Sequence, residues 1–201
     1  MSFGKRKGWS DCIRRNSARN LLAAQDYALT IGRGLNTAVD INWSRTTARD
    51  DTHGALLRAW RKAAGRFLRE RGAGGLTCTW VRERPTGVTP RPNTHINCHI
   101  PDHLFDAFVK NAHSFFPAGC AACDADAIFI TPVGTSGTYY ERRREYYLKG
   151  VHPRARLPIK RKRNAQGRVL RKRCGFSEDI GPTARERTEA TSRAVVASIP
   201  F

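Results

Sequence analysis

The chain has 201 residues, 40% of them hydrophobic, which is enough for one buried core and argues against wholesale disorder. Lys and Arg number 36 against 17 Asp and Glu, a formal charge of +19 that opposes compaction unless a polyanion offsets it, so nucleic acid is the expected partner. No run of about 18 apolar residues exists to span a membrane, and the basic start MSFGKRKGWS has no apolar stretch behind it, so a cytoplasmic protein without a secretory signal is expected.

In chain order, residues 1–10 read as a basic tail. A helix is expected from Ser10 or Asp11 to about Leu29, with Ala18, Leu21, Leu22 and Ala24 on its apolar side and Gly32 and Gly34 at its end. Leu35–Trp43 alternates, with Thr37, Val39, Ile41 and Trp43 facing one way, as a half-buried strand does. Thr52–Arg71 is the clearest helix, with Leu56, Leu57, Trp60, Ala63, Ala64, Phe67 and Leu68 on one stripe and Arg58, Arg61, Lys62, Arg66 and Arg69 outside it. Two strands, Leu76–Glu83 and Thr94–Ile100, flank a turn-rich segment and are expected to form an antiparallel hairpin. A helix from Pro101 or Asp102 to about Ser114, a strand over Ala127–Val133 and a helix from about Tyr139 to Leu148 follow. Beyond lies a basic stretch with a short helix near Thr183–Val196.

This order predicts an α+β fold of the split βαβ type, like ferredoxin or RNA-recognition modules: an antiparallel sheet with helices on one face and the other face free for a ligand. The expected division is an N-terminal tail and helix over 1–34, the sheet domain over 35–150 and a basic extension over 151–201. Six cysteines are scattered, and Cys120 and Cys123 make a lone CxxC, half a zinc knuckle at best, so reduced thiols are expected.

Three segments carry chemistry-bearing side chains. Alternation along Asn93-Thr-His-Ile-Asn-Cys-His99 puts Asn93, His95, Asn97 and His99 on one face. Neighbours on that face are about 7 Å apart at Cα, close enough to converge on one ion, whereas His95 and His99 are about 13 Å apart. In the hairpin Glu83 falls near Asn93 or His95, and a carboxylate beside an imidazole suits Mg²⁺ or Mn²⁺. Tyr146 and Lys149 are three apart on a helix, and a phenol needs a neighbouring cation to attack phosphorus near neutral pH. Tyr147 is an adjacent second candidate.

Together, Glu83, His95-Ile-Asn-Cys-His99-Ile-Pro101 and Tyr146-Tyr-Leu-Lys149 resemble the marks of the HUH endonucleases, which comprise rolling-circle replication initiators, relaxases and related transposases. The wording TWVRE, HINCHIP, YYLKG and KRCGFSEDIG resembles a bacterial or phage replicase-like group, and the likeness covers roughly residues 20–182. The chain departs from the family's His-hydrophobic-His pair. Either Asn93-Thr94-His95 or His95-Ile96-Asn97 takes that place, with an amide for one histidine, as in known degenerate members of the superfamily. The resemblance implies metal-assisted transesterification: Tyr146 attacks a single-stranded origin DNA phosphodiester, leaving a 5′-phosphotyrosine and a 3′-hydroxyl, with Glu83 and His95 on the metal and Lys149 supporting the phenolate. Host replication proteins are then further expected partners.

Between Arg142 and Arg173 the sequence has fourteen Lys or Arg and a single acid, Glu145. Arg142, Arg143, Arg144, the run Lys160-Arg161-Lys162-Arg163 and the run Arg171-Lys172-Arg173 are the expected phosphate contacts. Pro153, Pro158 and Gly167 interrupt this region, which disfavours a membrane-surface helix. Two other readings remain at this level: a non-catalytic nucleic-acid module on the same fold, and a structural RNA-associated protein.

Overall fold

The computed structural model describes residues 8–85, 91–118, 120, 125–157 and 164–197. Its elements are β1 (Trp9–Ser10), α1 (Arg15–Thr30), β2 (Thr37–Asn42), α2 (His53–Arg69), β3 (Cys78–Glu83), β4 (Asn93–Cys98), α3 (Phe105–Asn111), β5 (Ile128–Pro132), α4 (Gly137–Tyr146), β6 (Val169–Leu170), β7 (Cys174–Phe176) and α5 (Pro182–Ala197). The fold is α+β. Five strands form one sheet in the order β5-β2-β4-β3-β7, every neighbouring pair antiparallel, and β1 pairs separately with β6.

The alternation expected of the strands sets the core. Val39 and Ile41 of β2, Cys78 and Trp80 of β3, and Ile96 and Cys98 of β4 meet Leu57, Trp60, Ala64 and Leu68 of α2 and Phe108 of α3. Trp60 is fully buried and its indole N–H donates to the Ala112 carbonyl at 3.0 Å, so the largest side chain of the stripe keeps its one polar atom satisfied. α2 ends where Gly72 takes a φ of 76°, a left-handed conformation that costs glycine nothing sterically.

The opposite face of the sheet is not free, which corrects the expectation of an open ligand surface with all helices on one side. Ala18 and Leu21 of α1 and Tyr147 and Leu148 of the 3₁₀ turn after α4 (Tyr147–Gly150) pack with Val81 and Cys174 there. The reason lies in α1 itself. Its apolar stripe must be buried, and the other face is already filled by α2 and α3.

α1 begins at Arg15, without a side-chain cap, because Trp9 and Ser10 are drawn into β1. The C-terminal stretch is likewise more than a basic tail. β7 adds an edge strand beside β3, pairing Thr79 with Phe176 and Val81 with Cys174. Gly175 permits the close approach, since a Cβ there would lie 2.8 Å from the Trp80 side chain. Arg173 is 3% exposed and donates to the carbonyls of Ser10 at 2.7 Å and of Gly167, so it braces the fold and is not available to phosphate. Among the described residues no helix is long and apolar enough to cross a membrane.

Candidate functional site

The covered face of the sheet holds a line of ionisable groups. β2 and β4 pair Asp40 with His95, β3 and β4 pair Glu83 with Asn93, and alternation turns these side chains to the side away from α2. His95 sits between two carboxylates, with Nδ1 2.6 Å from Asp40 Oδ1 and Nε2 3.1 Å from Glu83 Oε2. Lys149 Nζ lies 2.8 Å from the same Glu83 oxygen, and Arg143 of α4 donates to Asp40 Oδ1.

Burial opposes the charge on His95, but its hydrogen bonds to Asp40 and Glu83 outweigh that cost and raise its pKa above 6.5. Burial also works against the two carboxylates, yet the hydrogen bonds and charges of His95 and their basic partners hold both below their ordinary values. The site is therefore a charge-alternating chain, Arg143–Asp40–His95–Glu83–Lys149, running beneath α4 and the turn after it.

Tyr146 closes this chain on the outer side. Its ring stands edge-to-face against the His95 imidazole, 5.0 Å between centroids, and Lys149 Nζ lies 3.6 Å from its ring centroid. It is half-buried, at the boundary between the ionic chain and solvent. Tyr147 is 1% exposed and its hydroxyl donates to Asn97 Oδ1 within the sheet interface. Burial pushes the Tyr147 phenol well above its ordinary pKa. Both tyrosines flank the ionic chain, with ring centroids 5.0 Å (Tyr146) and 6.0 Å (Tyr147) from His95, but only Tyr146 is partly exposed.

The remaining expected site residues fall as follows. Asn93 is half-buried and engages the Arg91 carbonyl through its amide nitrogen. Asn97 is committed to Tyr147, and His99 lies past the end of β4 with Nδ1 at 3.0 Å from the Gly34 carbonyl. Among the described residues no group of three or more His, Cys, Asp or Glu is suited to hold a metal. Two donors meet instead, His95 Nε2 and the Glu83 carboxylate, and Glu83 Oε1 is buried with no hydrogen-bond partner among the described residues.

Of the expected phosphate contacts, Arg142, Arg171 and Lys172 are exposed. Arg143 is tied to Asp40 and Arg144 to Asp26. Lys160, Arg161, Lys162 and Arg163 lie outside the described residues, as does Cys123, while Cys120 is buried. Trp43 is in the core at 1% exposed, and Tyr139 is exposed.

Sequence reasoning missed Asp40 and gave Arg143 another role, that of a phosphate contact. A signal for Asp40 was present: it is the one acid in the alternating strand β2, on the face opposite Val39 and Ile41. Arg143 looked like one cation of a run, and only its tertiary position separates it from Arg142. Compared with protein-family models, with curated protein sequences and with solved structures, the chain matches none.

Proposed function

We propose that this chain is a cytoplasmic, metal-assisted DNA-nicking and -joining enzyme of the rolling-circle type, acting on single-stranded origin DNA through Tyr146. The observation that carries the reading is the placement of a half-buried phenol against His95 and Lys149, on the sheet face that also holds Glu83. The strand order supports it: in β5-β2-β4-β3 the third strand of a β-α-β-β-α-β unit lies between the first two and the fourth lies beyond the first, as a split βαβ unit requires.

His95, Glu83 and Asn93 are the residues that would hold a small hard cation. His95 Nε2 and Glu83 Oε2 are 3.1 Å apart, a separation that neighbouring ligands of one ion can have, and the orphaned Glu83 Oε1 is a further oxygen donor. Asn93, opposite Glu83 in register, has its amide oxygen to offer. Asp40 on Nδ1 fixes the imidazole orientation and tautomer as a partner of a ligating histidine does. When bound, Mg²⁺ or Mn²⁺ supplies Lewis-acid polarisation of the phosphoryl oxygens.

The chain's own residues do the rest. Lys149, beside the Tyr146 ring, takes up phosphate charge. The Tyr146 oxygen forms the new bond to phosphorus, the bond from phosphorus to the 3′-oxygen breaks, and the phenolic proton reaches that oxygen through water. A 3′-hydroxyl attacking the phosphotyrosine runs the same step backwards and rejoins the strand. Arg142, Arg171 and Lys172, all exposed, supply sequence-independent affinity.

The test is a single-stranded oligonucleotide incubated with the chain and Mn²⁺ or Mg²⁺. A denaturation-resistant DNA adduct is expected, and it should be lost in Tyr146→Phe. No adduct with either metal rejects the enzyme and leaves a non-catalytic nucleic-acid-binding module. That second reading has one observation in its favour: Glu83 Oε2 is already engaged by the Lys149 ammonium.

A further inference from the structure

α2 carries five Lys or Arg and no acid over its 17 residues, and it packs on the side of the sheet away from His95 and Glu83. At about 100° per residue, Arg58, Lys62 and Arg69 fall within about 40° of one line along the helix, away from the stripe of Leu57, Trp60, Ala64 and Leu68. Arg61 and Arg66 flank that line. Arg58, Lys62, Arg66 and Arg69 are exposed, and among the described residues none of them makes an ion pair. Arg58 and Lys62, then Lys62 and Arg66, are like charges one helical turn apart, and each such pair disfavours the helix that carries it. A polyanion laid along the line turns the same charges to advantage.

Arg58, Lys62 and Arg69 form one wall of a groove of about 510 Å³, and Leu76, Glu178 and Asp179 belong to the other. Gly65 lets the walls approach: a Cβ there would stand 3.4 Å from the Leu76 backbone nitrogen and 3.5 Å from Arg69 Nη1. Asp179 is already engaged by the Thr77 hydroxyl and by Arg33 at 3.5 Å, and Arg33 also donates to the carbonyls of Ala73 and Gly75. Arg61 is half-buried, its guanidinium 5.7 Å from the Trp80 ring centroid. Arg33 and Arg61 thus hold the groove's shape, and Arg58, Lys62 and Arg69 are left to meet a ligand, with Glu178 the remaining acid of the lining.

Among the described residues the exposed large apolar side chains are Trp9, Leu29, Val109, Phe129 and Tyr139, none of them on α2. Single strands are held through bases stacked on aromatic rings, and a membrane surface needs an apolar helix face, so neither suits this groove. A phosphate backbone asks only for cations. An exposed ring is found instead on the ionic-chain side of the sheet, where Phe129 is opposite Asp40 in register. Arg58 to Arg69 spans about 16 Å, roughly half a turn of B-form DNA. We propose that α2 and its groove bind the sugar-phosphate backbone of duplex DNA, on the far side of the sheet from the site at Tyr146. The proposal takes DNA from the nicking reading and adds a second site, so that one chain holds a duplex segment on α2 and the single strand on the opposite face.

The experiment is a titration of a fluorescein-labelled duplex of about 20 base pairs with the intact chain, without metal, read by anisotropy over a series of salt concentrations. The triple variant Arg58→Ala, Lys62→Ala, Arg69→Ala is expected to bind about tenfold more weakly near 0.1 M salt, with a salt slope shallower by about 2.7, the value of three phosphates. Alanine is the best helix former, so the variant should fold, and its melting curve checks this. If it does not fold, Lys62→Gln alone decides, with a slope shallower by about 0.9. The control Arg14→Ala, Arg15→Ala, Arg19→Ala removes three exposed cations at α1, on the other side of the sheet, and should leave the slope nearly unchanged. No salt-dependent binding, an unchanged slope in the α2 variant, or an equal drop in the control overturns the proposal. An equal loss of affinity for a single-stranded oligonucleotide in the α2 variant overturns the assignment to duplex. The titration needs no adduct: a chain that binds duplex through α2 but never forms one keeps this site and loses the nicking reading, and adduct formation with an unchanged slope does the reverse.

Discussion

Asp40 accepts from both His95 and Arg143, and so anchors one end of the ionic chain. Replacing it by Asn removes the charge that holds Nδ1 protonated and frees the imidazole to rotate. Asp40→Asn is expected to slow adduct formation by about 10–100-fold, the usual effect of losing the orienting partner of a working histidine, in an initial-rate assay at fixed metal. An undiminished rate would show that His95 needs no such anchor. Tyr147→Phe is expected to do the opposite. The lost hydroxyl leaves Asn97 Oδ1 buried without its donor, which costs about 1–3 kcal/mol in a urea denaturation experiment, while the adduct still forms. These two variants separate chemistry from architecture at adjacent positions in space.

At the scale of elements, the C-terminal strand β7 shows how a basic run can be divided between fold and surface. Arg173 is buried and its guanidinium is shared among the carbonyls of Ser10, Gly167, Arg82 and Gln166, joining β7 to β3 and to the segment before β6. Arg171, two residues earlier, is exposed. Arg173→Ala is expected to destabilise by about 3 kcal/mol because several carbonyls lose a charged donor, whereas Arg171→Ala should stay within about 0.5 kcal/mol and weaken only DNA binding. Chemical denaturation and a salt-dependent binding titration on the two variants check both halves. The long elements were legible because their periods are long enough to read: α2 carries its stripe through 17 residues, and β2, β3 and β4 each alternate through six. β7 has three residues and β6 two, too few for a period, so their strands exist only through their partners.

For the molecule as a whole, global stability is expected to fall as the pH drops from 6.5 toward 4. Burial holds folded His53 at a pKa of about 4, so in that window the unfolded chain takes up a proton that the folded chain refuses. His95 acts in the other direction: its raised pKa makes its contribution complete below 6.5 and fading as the pH climbs through the folded value. Denaturation midpoints at pH 7 and pH 5 should therefore differ less in His53→Phe than in the wild type. An equal loss in both would place the acid sensitivity elsewhere. The net charge of +19 adds a self-repulsion that single-stranded DNA should relieve, so bound DNA is expected to raise the melting temperature at low salt.

The sequence alone determined what depends on local periodicity and composition: the principal helices, the four longer strands, the hairpin that brings Glu83 toward Asn93 and His95, and the cationic surface. Hydrophobic spacing and turn chemistry act over a few residues, and a single chain displays them directly. What only the tertiary structure decided depends on which elements compete for a surface. α1 and the turn after α4 cover the sheet face that spacing had left open, Tyr146 stays partly exposed while Tyr147 is buried, and Arg143 leaves its cationic run to join Asp40 at the site. Those outcomes follow from burying apolar stripes at the lowest cost in unpaired charge, a balance set across the whole molecule and not along any segment of it.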